Sequence, residues 1–166
     1  LLIPLSVCFA QNVSFIERLK VPIYINSSFS FGYDSNAFKL SNLEKSNQLT
    51  DITSIANTKT FDSGFIKPKI KIIYKPNLIN DKIKTDFTFS ISRNHYFNSS
   101  DKSYNVYSSE LAVKFGSYQW LKFSHRYLPK YYLRNYIDYD YSTASSYECY
   151  FSSETFQLSY SYPIYK

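Results

Sequence analysis

Glycine is nearly missing from this chain. Its 166 residues include three, with no methionine and two cysteines. So little glycine argues against the Gly-rich phosphate loops of nucleotide-binding folds. It also leaves a soluble β-sandwich short of the turn residues it needs about every 8–12 positions. No apolar run reaches the roughly 18 residues of a transmembrane helix. There is no Cys-x-x-Cys, no His-Glu-x-x-His and no Gly-x-Ser-x-Gly. What is abundant is aromatic: 18 Tyr, 14 Phe and one Trp, residues that pack well on a pleated surface and favour strands over helical bundles. At 44% apolar and 19% charged, the chain is too apolar to be disordered.

The net charge is +6. A basic balance suits nucleic acid, an anionic surface or an anionic solute. Here the lysines are scattered along strand-like segments and not gathered on one helix or arm, so no nucleic-acid partner is expected. Leu1–Ala10 is apolar, with small residues at Cys8 and Ala10 before Gln11. That pattern fits the end of a secretory signal peptide, with a short buried strand as the alternative. A lipoprotein reading of Leu5-Ser6-Val7-Cys8 is weaker, because Val precedes the Cys. Without an initiator Met or basic n-region, the sequence reads as a fragment. With residues 1–10 removed, Cys149 stands alone and cannot form an internal disulfide.

After a short lead-in at 11–19, period-two alternation dominates. From Val21 to Tyr33 the odd positions are mostly apolar and the even ones mostly polar. Ile66, Ile70, Ile72 and Tyr74 oppose Lys67, Lys69, Lys71 and Lys75. The same alternation continues in Ile83–Ile91, Tyr107–Phe115, Leu121–Tyr127 and Phe156–Tyr162. Six strands are predicted, near 20–33, 65–76, 82–96, 104–115, 118–128 and 154–162. Segments 34–63 and 129–153 are predicted as long loops, and no helical period is visible between Phe38 and Ile55.

Most of these runs reach roughly 11 to 15 residues. Strands of soluble proteins usually run about five or six, whereas about 9–11 cross a tilted bilayer. Short turns at one end and longer loops at the other describe an outer-membrane barrel. Aromatics near the strand ends, at Phe29, Phe31, Tyr33, Tyr96, Phe97, Tyr118, Trp120 and Tyr127, are expected to form interfacial girdles. A soluble β-sandwich or lipocalin-like barrel is the competing architecture.

The stretch Gly32-Tyr33-Asp34-Ser35-Asn36-Ala37-Phe38-Lys39-Leu40-Ser41 resembles the end of an early strand in Gram-negative outer-membrane β-barrel proteins. Tyr131–Tyr136 and Tyr147–Phe151 are similar in character to the same group. The resemblance implies an antiparallel, up-and-down transmembrane β-barrel in the bacterial outer membrane. It implies outer-membrane lipid and the barrel-assembly machinery as partners. Such barrels commonly end on an aromatic residue, and the stop at Tyr165-Lys166 reads as C-terminal truncation. Six strands also fall short of the about eight that make the smallest filled barrel.

Little here points to catalysis. His95 and His125 have no His or Cys at metal-ligand spacing, so no metal or other cofactor is expected. His125 shares a face with Leu121, Phe123 and Tyr127 and is read as a packing or interfacial residue, and His95 as a solvated loop-edge residue. Asp34 and Asn36 offer too few oxygens for calcium and are read as turn formers. The chemistry that remains is basic. Lysines on a lipid-facing strand would cost about 2–4 kcal/mol each at the bilayer midplane. Lys67, Lys69, Lys71, Lys75, Lys84, Lys114, Lys122 and Arg126 are therefore expected to face a wet lumen, where they either attract anions or pair with carboxylates. The expected function is passive passage or binding of small polar, even anionic, solutes. A surface-interaction barrel acting through 34–63 and 129–153 is the alternative, ahead of a barrel-borne lipase or protease.

Overall fold

The computed structural model describes residues 22–47, 58, 60–76, 83–116, 118–138 and 145–163; residues 1–10 lie outside this set. Six strands form one antiparallel sheet in chain order: β1 (Ile23–Asp34), β2 (Ser63–Tyr74), β3 (Ile83–Tyr96), β4 (Tyr104–Phe115), β5 (Gln119–Asp138) and β6 (Ser145–Ser161). Each pairs with its sequence neighbour, and the sheet is not closed: β1 and β6 are its two edges. A helix, α1 (Asn42–Asn47), and a 3₁₀ turn at Ser100–Lys102 complete the described elements. Among the described residues no helix is long and apolar enough to cross a membrane; strands can cross by a different route.

Pairing register fixes the faces, because directly opposed residues in an antiparallel ladder point the same way. Ile72 of β2 lies opposite Ile25 of β1 and Phe89 of β3. Leu111 of β4 lies opposite Phe87 and Phe123, and Phe123 opposite Leu158 of β6. One face is therefore apolar across all six strands. The opposite face carries Lys71 beside Asn26 and Ser90, then Ser108, Arg126 and Thr155. No second layer covers the apolar face among the described residues: Phe89 is 48% exposed, Phe156 62% and Leu158 70%.

The apolar band slants across the sheet. On β1 and β2 it continues up to Phe31 and Ile66, which are paired. On β3 and β4 it gives way sooner, to Arg93 opposite Asn105, and on β6 to Glu154 opposite Tyr127.

Packing is tightest at the long-loop end. Ala37, Phe38, Leu40, Tyr96 and Tyr132 form a buried cluster, with Phe61, Phe65 and Tyr104 against it. Phe65 and Tyr96 are paired, and their rings lie 5.6 Å apart. The Phe65 ring covers Gly32, where a Cβ would come within 2.8 Å of it. The segment after β1 is thus folded onto the polar-side rows of the sheet.

Three expectations are corrected. Residues 129–153 are not a long loop: β5 runs to Asp138 and β6 begins at Ser145, leaving 139–144 between them. Pro129 sits in this run, and the register shifts between Leu128 and Tyr131 and between Tyr132 and Arg134. A bulge changes which residues share a face, so the period-two count breaks there although the strand does not. At about 3.3 Å per residue, the 20 residues of β5 span about 65 Å, and with β6 they project past the last β4 pair, Tyr107 with Tyr127. Second, 38–55 is not free of helix. α1 opens on a reciprocal cap, in which Ser41 N donates to Glu44 Oε2 (2.7 Å) and Glu44 N to Ser41 Oγ (3.2 Å). Six residues are too few to display a period. Third, the aromatic girdle divides. Phe31, Tyr33 and Tyr127 lie on the apolar face, whereas Tyr96 and Trp120 lie on the polar one, opposite Phe65 and Lys114.

Candidate functional site: a basic trough and a caged lysine

Lys67, Lys69 and Lys71 project from alternate positions of β2 onto the polar face, opposite Ser30, Ser28 and Asn26. Lys75, just past β2, reaches Asp86 at 3.4 Å. Lys84 and Lys114 are directly opposed. Lys114 and Lys122 lie over the Trp120 ring at 5.3 and 5.5 Å, so cation–π attraction offsets part of their mutual repulsion. Arg126 stands opposite Ser108 and Thr155. All eight cations singled out from the sequence are thus brought to one side, where Asp86 and Glu110 also lie.

Three of them, Lys69, Lys71 and Arg126, border a trough of about 400 Å³ lined by residues of five strands, from β2 to Thr155 and Gln157 on β6. Its floor is hydroxylated: Ser90 and Ser108 share a hydrogen bond of 2.7 Å. Serines can donate or accept as needed, so such a floor presents hydroxyl groups able to bond a polar group of either kind.

The two histidines do not meet. His125 Nε2 contacts Glu154 Oε1 at 2.8 Å, and its ring stacks on Phe156 at 4.6 Å, on the apolar side. His95 lies at the loop edge of β3, one residue before its last; Ser103 Oγ approaches its Nδ1 at 3.2 Å and Phe97 meets its ring edge-on. Asp34 and Asn36 make the turn expected of them. Asp34 accepts from Asn36 N (3.0 Å), and the Asn36 amide bonds both the N–H and the carbonyl of Leu40. That clamp holds Lys39 in the left-handed region, at φ 56°.

A second constellation sits at the loop end, and sequence reasoning missed it. Lys102, 2% exposed, donates to the carbonyls of Tyr132 (2.9 Å) and Leu133 (2.6 Å). The rings of Phe38, Tyr131 and Tyr132 lie 4.9, 5.2 and 5.5 Å from its Nζ. Desolvation, reinforced by Lys39 and Arg134 and opposed by Asp34, pushes its pKa down to about 8. Arg134 pairs with Glu44, tying β5 to α1. The Ser41 backbone N–H, the Ser41 hydroxyl and then Arg134 hold the Glu44 carboxyl below its ordinary value. Two local signals for this knot stand in the sequence: the Asp34-x-Asn36 turn and the Ser41-x-x-Glu44 cap.

No protein-family model, curated protein or solved structure matches the chain.

Proposed function

We propose that this sheet is part of an outer-membrane β-barrel, with its slanting apolar band against lipid and its basic trough facing a lumen used by small polar, preferentially anionic, solutes. The observation that carries the reading is the division of the two faces. At about 4.8 Å between strands and 3.3 Å per residue, the uncovered apolar band is on the order of 700 Å², beyond the few hundred Å² ordinarily left exposed in water. Every lysine and arginine assigned to the trough is on the other side. Hydrocarbon satisfies the first face and water the second. Closure requires strands beyond these six to pair with the edges of β1 and β6, and the rows of Lys67, Lys69 and Lys71 then line the wall of the lumen.

A pore predicts conductance. The complete protein, refolded in detergent and inserted in a planar bilayer, conducts chloride in preference to potassium. The Lys67→Gln/Lys69→Gln/Lys71→Gln variant lowers that preference while the folded species persists. Absence of conductance from folded protein overturns passage. It favours instead the second reading, a surface-interaction barrel, for which the buried aromatic knot and projecting β5–β6 hairpin are the supporting features. A conductance whose selectivity ignores the lysine substitutions separates passage from the anion preference.

A further inference from the structure

Lys102 is a buried ammonium with no carboxylate within ion-pair distance among the described residues. Its two carbonyl acceptors and three rings explain how it tolerates burial, yet an ammonium has three N–H donors and the two carbonyls take two. It also borders a pocket of about 250 Å³ whose wall includes Phe38, Lys39, Tyr131, Arg134 and Tyr136. Three cations therefore converge on one small space between aromatic rings. Each of the outer two has a single exposed or partly exposed partner, Asp34 for Lys39 (3.5 Å) and Glu44 for Arg134. Such surface pairs contribute little and exchange readily. The unmet demand in the pocket is for negative charge, and its walls suit a flat apolar body.

We infer that this rim pocket binds an organic anion made of a carboxylate on an aromatic ring. The carboxylate meets the Lys102 ammonium and the Arg134 fork, and the ring lies between Phe38 and Tyr131. Arg presents two parallel donors to a carboxylate, while ring-on-ring contact discriminates aromatic acids from small aliphatic ones. The site lies at the loop end of the sheet, outside the basic trough, and does not depend on the chain conducting.

The test uses the refolded protein in detergent with benzoate, acetate and chloride as probes, binding being read by calorimetry at pH 7. A second readout is Cys149, which borders the same pocket: benzoate should slow its alkylation by iodoacetamide in a Cys8→Ser background. Benzoate is expected to bind about tenfold more tightly than acetate, and Arg134→Gln to weaken it about tenfold, the loss of one charge-assisted contact. Lys39→Gln, which removes a neighbouring charge on the pocket wall, should weaken it about threefold. Lys102→Met removes the central cation and should abolish binding; should that variant not fold, the two exposed substitutions still decide the matter. Arg93→Gln, an exposed cation on the uncovered face opposite Asn105, leaves benzoate binding unchanged. Equal affinity for benzoate and acetate, no effect of the rim substitutions, or loss of binding with Arg93→Gln each overturns the site. Benzoate binding that persists in a protein without conductance would sink the pore and leave the pocket standing.

Discussion

Midway along the strands and at their loop end, the same sheet sorts its side chains by opposite rules. In the middle, Ile72, Phe89 and Phe123 lie on the uncovered face and the lysines on the other. At the loop end, the uncovered face of β3, β4 and β6 bears Arg93, His95, Asn105 and Glu154, while Phe65, Tyr96 and Tyr104 take the trough side beneath Phe38 and Leu40. The alternation does not stop; what each face meets has changed. An apolar side chain needs cover, and the loop supplies it on one side at the rim. No protein group described here supplies it on the other side in the middle. The contrast teaches that the uncovered band needs cover that no described residue supplies, whereas the rim cluster is self-contained.

The largest effect should fall on the self-contained region. Phe38 is 4% exposed, meets Tyr132 edge-on at 6.3 Å and faces the Lys102 ammonium. Phe38→Ala is expected to cost about 3–5 kcal/mol of local docking, as truncation of a buried aromatic does. Limited proteolysis within 34–47 should become fast while far-UV circular dichroism retains the strand signal. Simultaneous loss of the strands would erase the distinction between the regions, making the knot part of one cooperative unit with the sheet.

The next test strikes the middle. Ile72→Arg or Phe89→Arg is expected to destabilise the protein folded into lipid vesicles by about 2–4 kcal/mol, read by urea titration. Gln157→Arg, on the polar side opposite Ser124, should change it by no more than about 0.5 kcal/mol. Equal penalties on both faces would contradict the assignment of one to hydrocarbon and the other to water.

How much of this was legible beforehand follows the same division. The middle of the sheet could be read directly, because alternation at period two sorts side chains onto two faces: the polar rows from Lys67 to Arg126 share one face of the sheet. The bounds of β3 and β4 follow within a residue. The rim could not be read that way. Its contacts join Phe38, Lys102 and Tyr132, residues far apart in sequence, through a turn, a 3₁₀ segment and a bulge, none of which has a period. Pro129 and the shifts after Leu128 hid ten residues of β5. Trp120 looked like an interfacial ring and is instead flanked by Lys114 and Lys122, a choice of face set by register and invisible in composition. The Asp34 and Asn36 turn was legible since its chemistry is local.

The finest test titrates Lys102, where stability and anion binding should move in opposite directions. The groups around it are Asp101 on its own turn, Asp34 and Lys39 from the strand end and turn packed on it, and Arg134 and Cys149 from β5 and β6. Its pKa is about 8 in the folded chain against 10.5 ordinarily. Between those values the unfolded chain binds more protons than the folded one, so stability rises with pH across that window. Below about pH 8 both forms are protonated and the full cost of burying the charge is present. The neutral amine keeps two N–H donors, enough for the carbonyls of Tyr132 and Leu133. Resistance of the 34–47 segment to protease should therefore increase from pH 7.5 to pH 10, while benzoate affinity, which needs the ammonium, declines. Lys102→Met should remove the first dependence if it folds. A protease resistance that falls over the same range would mean that the three-ring contact with the charged form outweighs its desolvation, and that the knot is held by the cation itself.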